Sequence, residues 1–294
     1  SAGAQNALSV VLISMFNAGD KIAVDSFTYT NFKGLANFLH IQLISVESDE
    51  FGMSPHYLMQ TCKNAEIKGI YLMPTCSNPA SVFMPAFRRQ EIADIAHKFQ
   101  LLLIEDDIYS FLAPNGVKSF FSILPEQTVH ICSVSKSLCA GLRVAFLAFP
   151  AKYREILVAG MLNINLKTVS MNGEIVAELI ESGTALNIVR QKIALAERRN
   201  TIFKSVFDVP KRDNIARFFF WLPLPEHLTS EEMELLALQK GVHILGSHRF
   251  AMQNEQKSSY IRVSVTSPDT EDDLRKGLMI LKNICRDSTV NFIV

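Results

Sequence analysis

The sequence predicts an α/β protein whose larger part is built on a mainly parallel β-sheet. Short apolar runs of strand type alternate along residues 1–150 with helical segments of about ten residues or more, a pattern typical of parallel sheets covered by helices. Polar residues directly follow three of these runs, at the positions where ligands gather in such sheets. Beyond Pro150 the pattern changes to long helices and then to a second, smaller α/β segment.

Strand-like and helix-like segments follow one another in a regular order before Pro150. Helical periodicity extends from Ala7 to Phe16, and Gly19 and Asp20 break it. The strand-like runs that follow are residues 21–27, 41–47, 69–74, 101–107, 128–136 and 142–150. The helix-like segments between them are residues 31–40, 54–66 and 88–100.

The second half of the chain predicts a different organisation. Three helical segments cover residues 151–164, 172–183 and 187–207, and the last is long, charged and amphipathic, as suits a link between domains. The sequence therefore predicts a large domain over residues 1–185, a linking helix over residues 186–210 and a small α/β C-terminal domain over residues 211–294. Because the chain enters a helical pattern with no strand before it, we expect a fragment or processed chain whose large domain lacks its N-terminal arm.

Composition and charge exclude several classes of function. Lys plus Arg and Asp plus Glu number 29 each in 294 residues, so no net charge draws this chain itself to nucleic acid or to an anionic membrane. No apolar run approaches the roughly 20 residues of a membrane span, and no signal-peptide pattern opens the chain, so a cytoplasmic location is expected. The five cysteines include no CxxC pair, which predicts reduced, mostly buried thiols and no metal site.

Lys136 and Arg143 raise the central question about function. Lys136 follows a strand-like run within the hydroxyl-rich stretch SVSKS, and Arg143 comes seven residues later in another apolar run. Neither position is usual for a solvated surface charge. A lysine amine forms Schiff bases with carbonyl compounds, and pyridoxal phosphate is a cofactor that proteins hold in this way.

The other requirements of pyridoxal phosphate are met by polar residues near predicted strand ends and at the first helix. Asp106 would keep the ring nitrogen protonated, while Tyr109 and Asn78 would hydrogen-bond the ring oxygen. The phosphate would be bound by the side chains of Ser133, Ser135 and Arg143. Backbone amides at a helix N-terminus, those of Gly3, Ala4 and Gln5, would add to this site. Each residue alone is ordinary, so the hypothesis depends on their joint order.

In these motifs the chain resembles the fold-type I, class I and II aminotransferases over nearly its whole length. SVSKSLCAGLR fits the pattern SxSK followed by the arginine of a GLR context, Asp106 and Tyr109 fit D-x-x-Y, Asn78–Pro79 fits NP, and GAQ fits Gly-x-Gln. The resemblance implies an aspartate aminotransferase-like fold, pyridoxal phosphate as cofactor and a homodimer. It also implies that Lys136, Asp106 and Tyr109 are the catalytic residues.

Two further site residues rest on the resemblance alone. Tyr29, in DSFTYTNF, takes the place of the aromatic residue that stacks on the cofactor ring, with a core aromatic as the alternative. Arg262, in SYIRVSV, takes the place of the arginine that pairs with a substrate α-carboxylate, with a structural strand arginine as the alternative. The resemblance also assigns Asn78 to substrate binding.

The resemblance leaves the function open between two main interpretations. The first is a transaminase that moves an amino group between an α-amino acid and a 2-oxo acid through a Schiff base at Lys136. The second is the effector-sensing and dimerisation domain of a MocR-type (GntR) transcriptional regulator, which FMPAFRRQEIADIAHKF and the EDDIY turn resemble. DNA would then be contacted only by a winged-helix domain outside this chain. A decarboxylase or lyase on the same fold is less favoured, because Arg262 is retained.

Overall fold

The computed structural model describes residues 1–209, 215–252 and 259–286 of the chain. They form two compact units: unit 1 comprises Ser1–Asn78 and Val82–Gln191, and unit 2 comprises Pro79–Ser81 and the described residues from Lys192 onward. The boundary near Gln191 falls inside one continuous helix, Thr184–Val206. The three-part division at residues 185 and 210 stays a prediction.

Unit 1 is built on a six-stranded sheet with helices along its strand connections. Its strands are β1 (Lys21–Asp25), β2 (Gln42–Val46), β3 (Ser48–Asp49), β4 (Gly52–Met53), β5 (Ile67–Leu72), β6 (Leu102–Asp106), β7 (Thr128–Ser133) and β8 (Ala145–Ala148). The large sheet has the order β2-β1-β5-β6-β7-β8, and β3 pairs with β4 in a separate hairpin. All neighbours in the large sheet run parallel except β7 and β8. The predicted mainly parallel α/β fold is confirmed.

The helices of unit 1 precede, connect and follow these strands. They are α1 (Ala4–Met15), α2 (Thr30–Phe38), α3 (Pro55–Asn64), α4 (Ala86–Lys98), α5 (Phe120–Ile123), α6 (Val134–Ser137), α7 (Arg154–Asn165), α8 (Ser170–Glu181) and the first part of α9 (Thr184–Val206). Apolar side chains of β5 and β6, such as Ile70 and Leu103, pack in one core with Leu58 of α3 and Ile92 of α4. β6 is buried along its whole length: its first three residues are consecutive apolar residues rather than alternating ones, and its last two are the buried acids Glu105 and Asp106.

Unit 2 is a smaller α/β unit with an antiparallel sheet. Its elements are the remainder of α9, β9 (Phe219–Pro223), α10 (Ser230–Gln239), β10 (Leu245–Gly246), β11 (Tyr260–Ser264) and α11 (Glu271–Arg286). The strand order is β10-β11-β9. Leu274, Leu278 and Leu281 recur at helical spacing on α11 and pack in the same core as Phe203 of α9.

Two sequence-based expectations need correction. The predicted strand over residues 128–136 ends at Ser133, because the Ser133 hydroxyl accepts a hydrogen bond from the Ser135 amide at 3.3 Å and caps α6. The cysteines were expected to be mostly buried, yet only Cys76 is fully buried and Cys139 is exposed. All five thiols are free. Within the described parts of the chain, no helix combines the length and apolar character that crossing a membrane requires.

Candidate cofactor site

The polar residues predicted to form the site in unit 1 gather at the carboxyl edge of the parallel strands. In the register of the sheet, Leu72 at the end of β5 lies beside Glu105 of β6, and Asp106 lies beside Ile131 of β7. The segments that carry Asn78, Tyr109 and Lys136 leave these three neighbouring strands in the same direction. This edge is where ligands bind in open α/β sheets.

Asp106 is the buried acid at the centre of this edge, with a side chain only 2% exposed. Its Oδ2 accepts a hydrogen bond from the Tyr71 hydroxyl at 2.8 Å. Its Oδ1 is buried and has no hydrogen-bond partner among the described residues. Burial, with a smaller contribution from the charge of Asp107, raises the pKa of Asp106 to about 7, while the Tyr71 hydrogen bond works in the opposite direction.

Tyr71 and the start of α2 enclose Asp106 from the side of β1 and β5. The Tyr71 ring stacks on Phe32 of α2 with centroids 3.7 Å apart and an interplanar angle of 9°. Burial and then Asp106 raise the pKa of Tyr71 well above its usual value, and the charges of Tyr29 and Asp25 add to this. Tyr29 precedes α2 and is half-buried, and it lies close enough to Tyr71 to affect its pKa. Its predicted stacking on a cofactor ring remains a prediction.

Lys136 lies on α6, the single helical turn that follows β7. The Ser133 side chain caps this turn and also donates a hydrogen bond to the Val144 carbonyl at 3.1 Å, which ties the turn to the segment after Arg143. Lys136 and Arg143 are both exposed side chains. The expectation that neither cation lies at the solvated surface is therefore wrong: Lys136 lies three residues after the end of β7, and Arg143 lies two residues before β8, outside the sheet.

Arg143 and the N-terminus of α1 meet although they are far apart in the sequence. The Ala145 amide donates to the Ser1 carbonyl at 3.0 Å, which brings the two segments together. Gly3 has φ of 91° and immediately precedes α1. A Cβ atom at Gly3 would lie 2.6 Å from Arg143 Nη2, so only glycine lets the guanidinium approach this closely. Ala4 and Gln5 form the first turn of α1, and buried Gln5 Oε1 has no hydrogen-bond partner among the described residues.

Tyr109 and Asn78 occupy the loops that follow β6 and β5. Tyr109 is buried and Asn78 is half-buried. The Thr75 hydroxyl, on the loop that carries Asn78, donates to Asp107 Oδ2 at 3.0 Å and so joins the two loops. Their predicted contact with a cofactor ring oxygen stays a prediction.

Arg262 belongs to unit 2, where it lies in the middle strand, β11, of the small sheet. Its guanidinium carbon lies 5.3 Å from the ring centroid of Phe219 and 5.4 Å from that of Phe250. Aromatic rings at this distance stabilise a cation and orient the guanidinium plane. The predicted pairing of Arg262 with a substrate carboxylate stays a prediction.

A second cluster of buried charge is formed next to Asp106 by Glu105 of β6 and His130 of β7, and the sequence alone did not reveal it. Glu105 is fully buried and accepts hydrogen bonds from the amides of Phe120 and Phe121 and from His130 Nδ1, which lies 2.8 Å away. Burial alone would lower the pKa of His130, but the hydrogen bond to Glu105 and the nearby acidic charges outweigh burial. The pKa of His130 is therefore raised above its usual value. The acidic run EDD was the available signal. A cavity of about 530 Å³ adjoins this cluster, and its lining includes Thr75, Arg89, Asp107, Ser110, Lys118 and His130.

The residues at the sheet edge fit pyridoxal phosphate at both ends of that molecule. The unpartnered Oδ1 of buried Asp106 calls for a donor such as a protonated ring nitrogen. At the other end, the close approach of Gly3 and Arg143 at a helix N-terminus forms a cationic recess suited to a phosphate. Among the described residues no group of His, Cys, Asp and Glu is arranged to hold a metal ion.

Comparison with known proteins agrees with this chemistry. The family model "Aminotransferase class I and II" matches residues 1–278. An uncharacterized HTH-type transcriptional regulator of Bacillus subtilis, YdeF, is 36% identical over 288 residues, which cover 98% of this chain but only 62% of YdeF. The 2-aminoadipate transaminase of Thermus thermophilus is 24% identical over 92% of this chain and 70% of its own length.

The solved structures show the same fold. The kynurenine aminotransferase of Pyrococcus horikoshii superposes with a TM-score of 0.89 at 23% identity, covering 99% of this chain and 75% of that enzyme. An α-aminoadipate aminotransferase of Thermus thermophilus superposes with a TM-score of 0.87 at 22% identity, covering 97% of this chain and 76% of that protein. The predicted aspartate aminotransferase-like fold is confirmed.

Proposed function

This chain belongs to the class I and II aminotransferases, and from that premise we propose that it transfers an amino group between an α-amino acid and a 2-oxo acid with pyridoxal phosphate as cofactor. Family membership indicates the cofactor. The observation that carries the proposal is the buried Oδ1 of Asp106, which has no partner among the described residues and lies where β6 ends, beside the strand that leads to Lys136.

The cofactor supplies the chemistry, and the chain supplies position and charge. When bound, pyridoxal phosphate holds the substrate nitrogen and takes up the electron pair of a broken Cα–H bond. Lys136 would supply the amine that holds the cofactor through its aldehyde carbon, and the same amine would be the acceptor for the substrate Cα proton. Asp106 would hold the proton on the ring nitrogen by its negative charge.

The remaining site residues bind and orient. Tyr109 and Asn78 would donate hydrogen bonds to the ring oxygen, and Tyr29 would stack on the ring. The phosphate would be bound by Arg143, Ser133 and Ser135 and by the backbone amides of Gly3, Ala4 and Gln5. We propose that Arg262 pairs with the substrate α-carboxylate and that Asn78 also takes part in substrate binding. A guanidinium pairs with a carboxylate through two parallel hydrogen bonds, which an ammonium cannot reproduce.

The proposal is tested by locating the cofactor and then measuring turnover. The full chain is incubated with pyridoxal phosphate, reduced with borohydride and mapped by peptide mass spectrometry, and we expect the adduct on Lys136. Lys136→Ala is the control that should carry none. An adduct on another lysine, or no adduct on a folded chain, would show the assignment to be wrong.

A second candidate, an effector-sensing domain, is favoured by the 36% identity to a protein named as a transcriptional regulator. The same chain is therefore supplied with an amino acid and a 2-oxo acid, and product oxo acid is measured in steady state. Sustained release supports the transaminase. Bound, unreduced cofactor whose absorbance responds to amino acids, with no oxo acid released, supports the sensor.

Arg262→Lys tests the substrate class in either case. Lysine keeps the positive charge but cannot form the two parallel hydrogen bonds of a guanidinium, so we expect amino-acid binding to weaken by roughly ten-fold while cofactor binding is kept. The measurement is titration of the bound cofactor's absorbance with an α-amino acid and with its decarboxylated amine. If parent and variant titrate alike, Arg262 is a structural strand residue whose guanidinium lies near the rings of Phe219 and Phe250.

We also propose a homodimer in the cytoplasm. Unit 1 exposes large apolar side chains on α7, α8 and the segment between them, including Leu166, Val169 and Met171, and such a patch typically marks a protein interface. A second copy of the chain is the proposed occupant, and sedimentation at increasing concentration reports it. The free state of all five cysteines is typical of a reducing compartment.

A further inference from the structure

We infer that Tyr71 is the positioning residue for Asp106: its hydroxyl occupies Oδ2, fixes the rotamer of the carboxyl group and reserves Oδ1 for the cofactor ring nitrogen. The inference deepens the proposed function and rests on it. Tyr71 stands in an apolar strand-like run, IYLMP, and neither the motifs nor the family resemblance assigned it a role.

The position of Tyr71 is fixed by the fold. In the parallel register of β5 and β6, Tyr71 lies beside Ile104, and Asp106 is two residues further along β6 on the same face. The ring is 1% exposed and stacks face to face on Phe32, so its hydroxyl has little freedom of direction. The two oxygens joined by the hydrogen bond, Tyr71 Oη and Asp106 Oδ2, are 2.8 Å apart.

This hydrogen bond makes the two carboxylate oxygens of Asp106 inequivalent. A carboxyl group with both oxygens unpartnered could turn about its Cβ–Cγ bond and present either one. With Oδ2 held, Oδ1 is the oxygen left buried without a partner. A protonated ring nitrogen is a single donor that needs a single, correctly aimed acceptor.

The same hydrogen bond also decides the charge of Asp106. Burial favours the neutral acid, and a donor to the charged form opposes burial. The other charged groups that act on Asp106 are Asp107, which follows it in the chain and favours the neutral form, and His130 on β7, which favours the ionised form. Removing the Tyr71 hydroxyl should therefore raise the pKa of Asp106 further and leave less carboxylate to pair with the cofactor.

A neighbouring residue offers a matched control. The Thr75 hydroxyl, just beyond β5, also donates to a buried carboxylate at the end of β6, but the acceptor is Asp107 at 3.0 Å. Tyr71→Phe and Thr75→Val each remove one buried hydroxyl donor from this edge. Only Tyr71→Phe removes a donor to Asp106.

The experiment measures pyridoxal phosphate affinity of the full chain by equilibrium dialysis from acid to alkaline pH. For Tyr71→Phe we expect a loss of roughly ten-fold near neutral pH, the scale of one hydrogen bond to a charged group. We also expect the pH below which affinity declines to move upward, because the carboxyl keeps its proton to higher pH. Thr75→Val should leave that midpoint in place. In an Asp106→Asn background, Tyr71→Phe should add little, as expected for residues that act through one interaction.

Each outcome decides the inference. Equal losses in Tyr71→Phe and Thr75→Val, or full additivity with Asp106→Asn, would overturn it. If Tyr71→Phe does not fold, site-specific 3-fluorotyrosine at position 71 keeps the ring and strengthens the donor. The midpoint should then move downward, and an unchanged midpoint would overturn the inference. If the parent chain binds no pyridoxal phosphate, the proposed function itself fails, and the two failures remain distinct.

Discussion

The two ends of the candidate site are built on opposite physical principles. At the ring end, Asp106, Tyr71 and Tyr109 are buried, and one hydrogen bond and one unpartnered oxygen define the geometry. At the phosphate end, Arg143 is exposed, and the recess depends on backbone shape at Gly3. Water screens the second set of charges but not the first. Cofactor affinity should therefore depend strongly on single substitutions at the ring end and on pH. Substitutions at the phosphate end should have moderate effects on affinity, and these effects should depend on salt.

The largest expected effect comes from Asp106→Asn at the buried end. The variant keeps the shape of the side chain and its contact with Tyr71 but loses the charge that pairs with a ring nitrogen. Removing one partner of a buried charged pair changes binding by more than removing one partner of a surface pair does. We therefore expect at least a hundred-fold loss of pyridoxal phosphate affinity, about 2.8 kcal/mol at about 1.4 kcal/mol per ten-fold. Equilibrium dialysis against the parent measures it. A variant that binds like the parent would place the ring nitrogen elsewhere.

The same substitution gives a stability signature without cofactor. The pKa of Asp106 is raised from 3.8 to about 7, so between these values the folded chain holds a proton that the unfolded chain has lost. Stability should therefore fall as pH rises through this window, by up to about 1.4 kcal/mol per pH unit for this one group. Asparagine does not titrate, so Asp106→Asn should gain stability relative to the parent as the pH rises from 3.8 to about 7, and the gain should level off above that. Urea unfolding at several pH values checks this, and a difference independent of pH would contradict it.

A smaller effect is expected from Gly3→Ala at the exposed end. The new Cβ would lie 2.6 Å from Arg143 Nη2 and 2.8 Å from Cζ, so the guanidinium must move out of the recess. We expect a loss of cofactor affinity of several-fold, which shrinks as salt screens the charge. In an Arg143→Ala background the clash is gone, so the two losses should be less than additive.

Gly19→Ala separates the clash from backbone strain in that experiment. Gly19 has φ of 90°, nearly that of Gly3, but no atom within 4 Å of its Cβ position. It should lose stability on the scale of about 1–3 kcal/mol for a strained residue, with no change in cofactor affinity. If Gly19→Ala weakens cofactor binding as much as Gly3→Ala does, the effect of Gly3→Ala does not come from its clash with Arg143.

The contrast between the two ends also marks what the sequence could and could not predict. The end of a strand at Asp106 and another shortly before Lys136 could be predicted from short apolar runs, because such runs are a local property of the sequence. The role inferred for Tyr71 was missed because an apolar strand context hides a hydroxyl whose partner lies 35 residues away. The exposure of Lys136 and Arg143 was misjudged because the strand ends at Ser133, where a side-chain cap overrides the apolar pattern. Arg262 lies in unit 2, so the geometry of the site in unit 1 does not test its predicted role.

The pairing of Ala145 with Ser1 has a consequence for how the chain folds. The Tyr71–Asp106 contact spans 35 residues, whereas the pairing of Ala145 with Ser1 spans 144. Closing the longer loop costs about 1.2 kcal/mol more chain entropy, at roughly 0.6 kcal/mol per doubling of length. Contacts between distant parts of a chain also form more slowly. A refolding molecule should therefore bury its acid early and complete its anion recess last, so that it acquires the ability to hold a phosphate only near the end of folding.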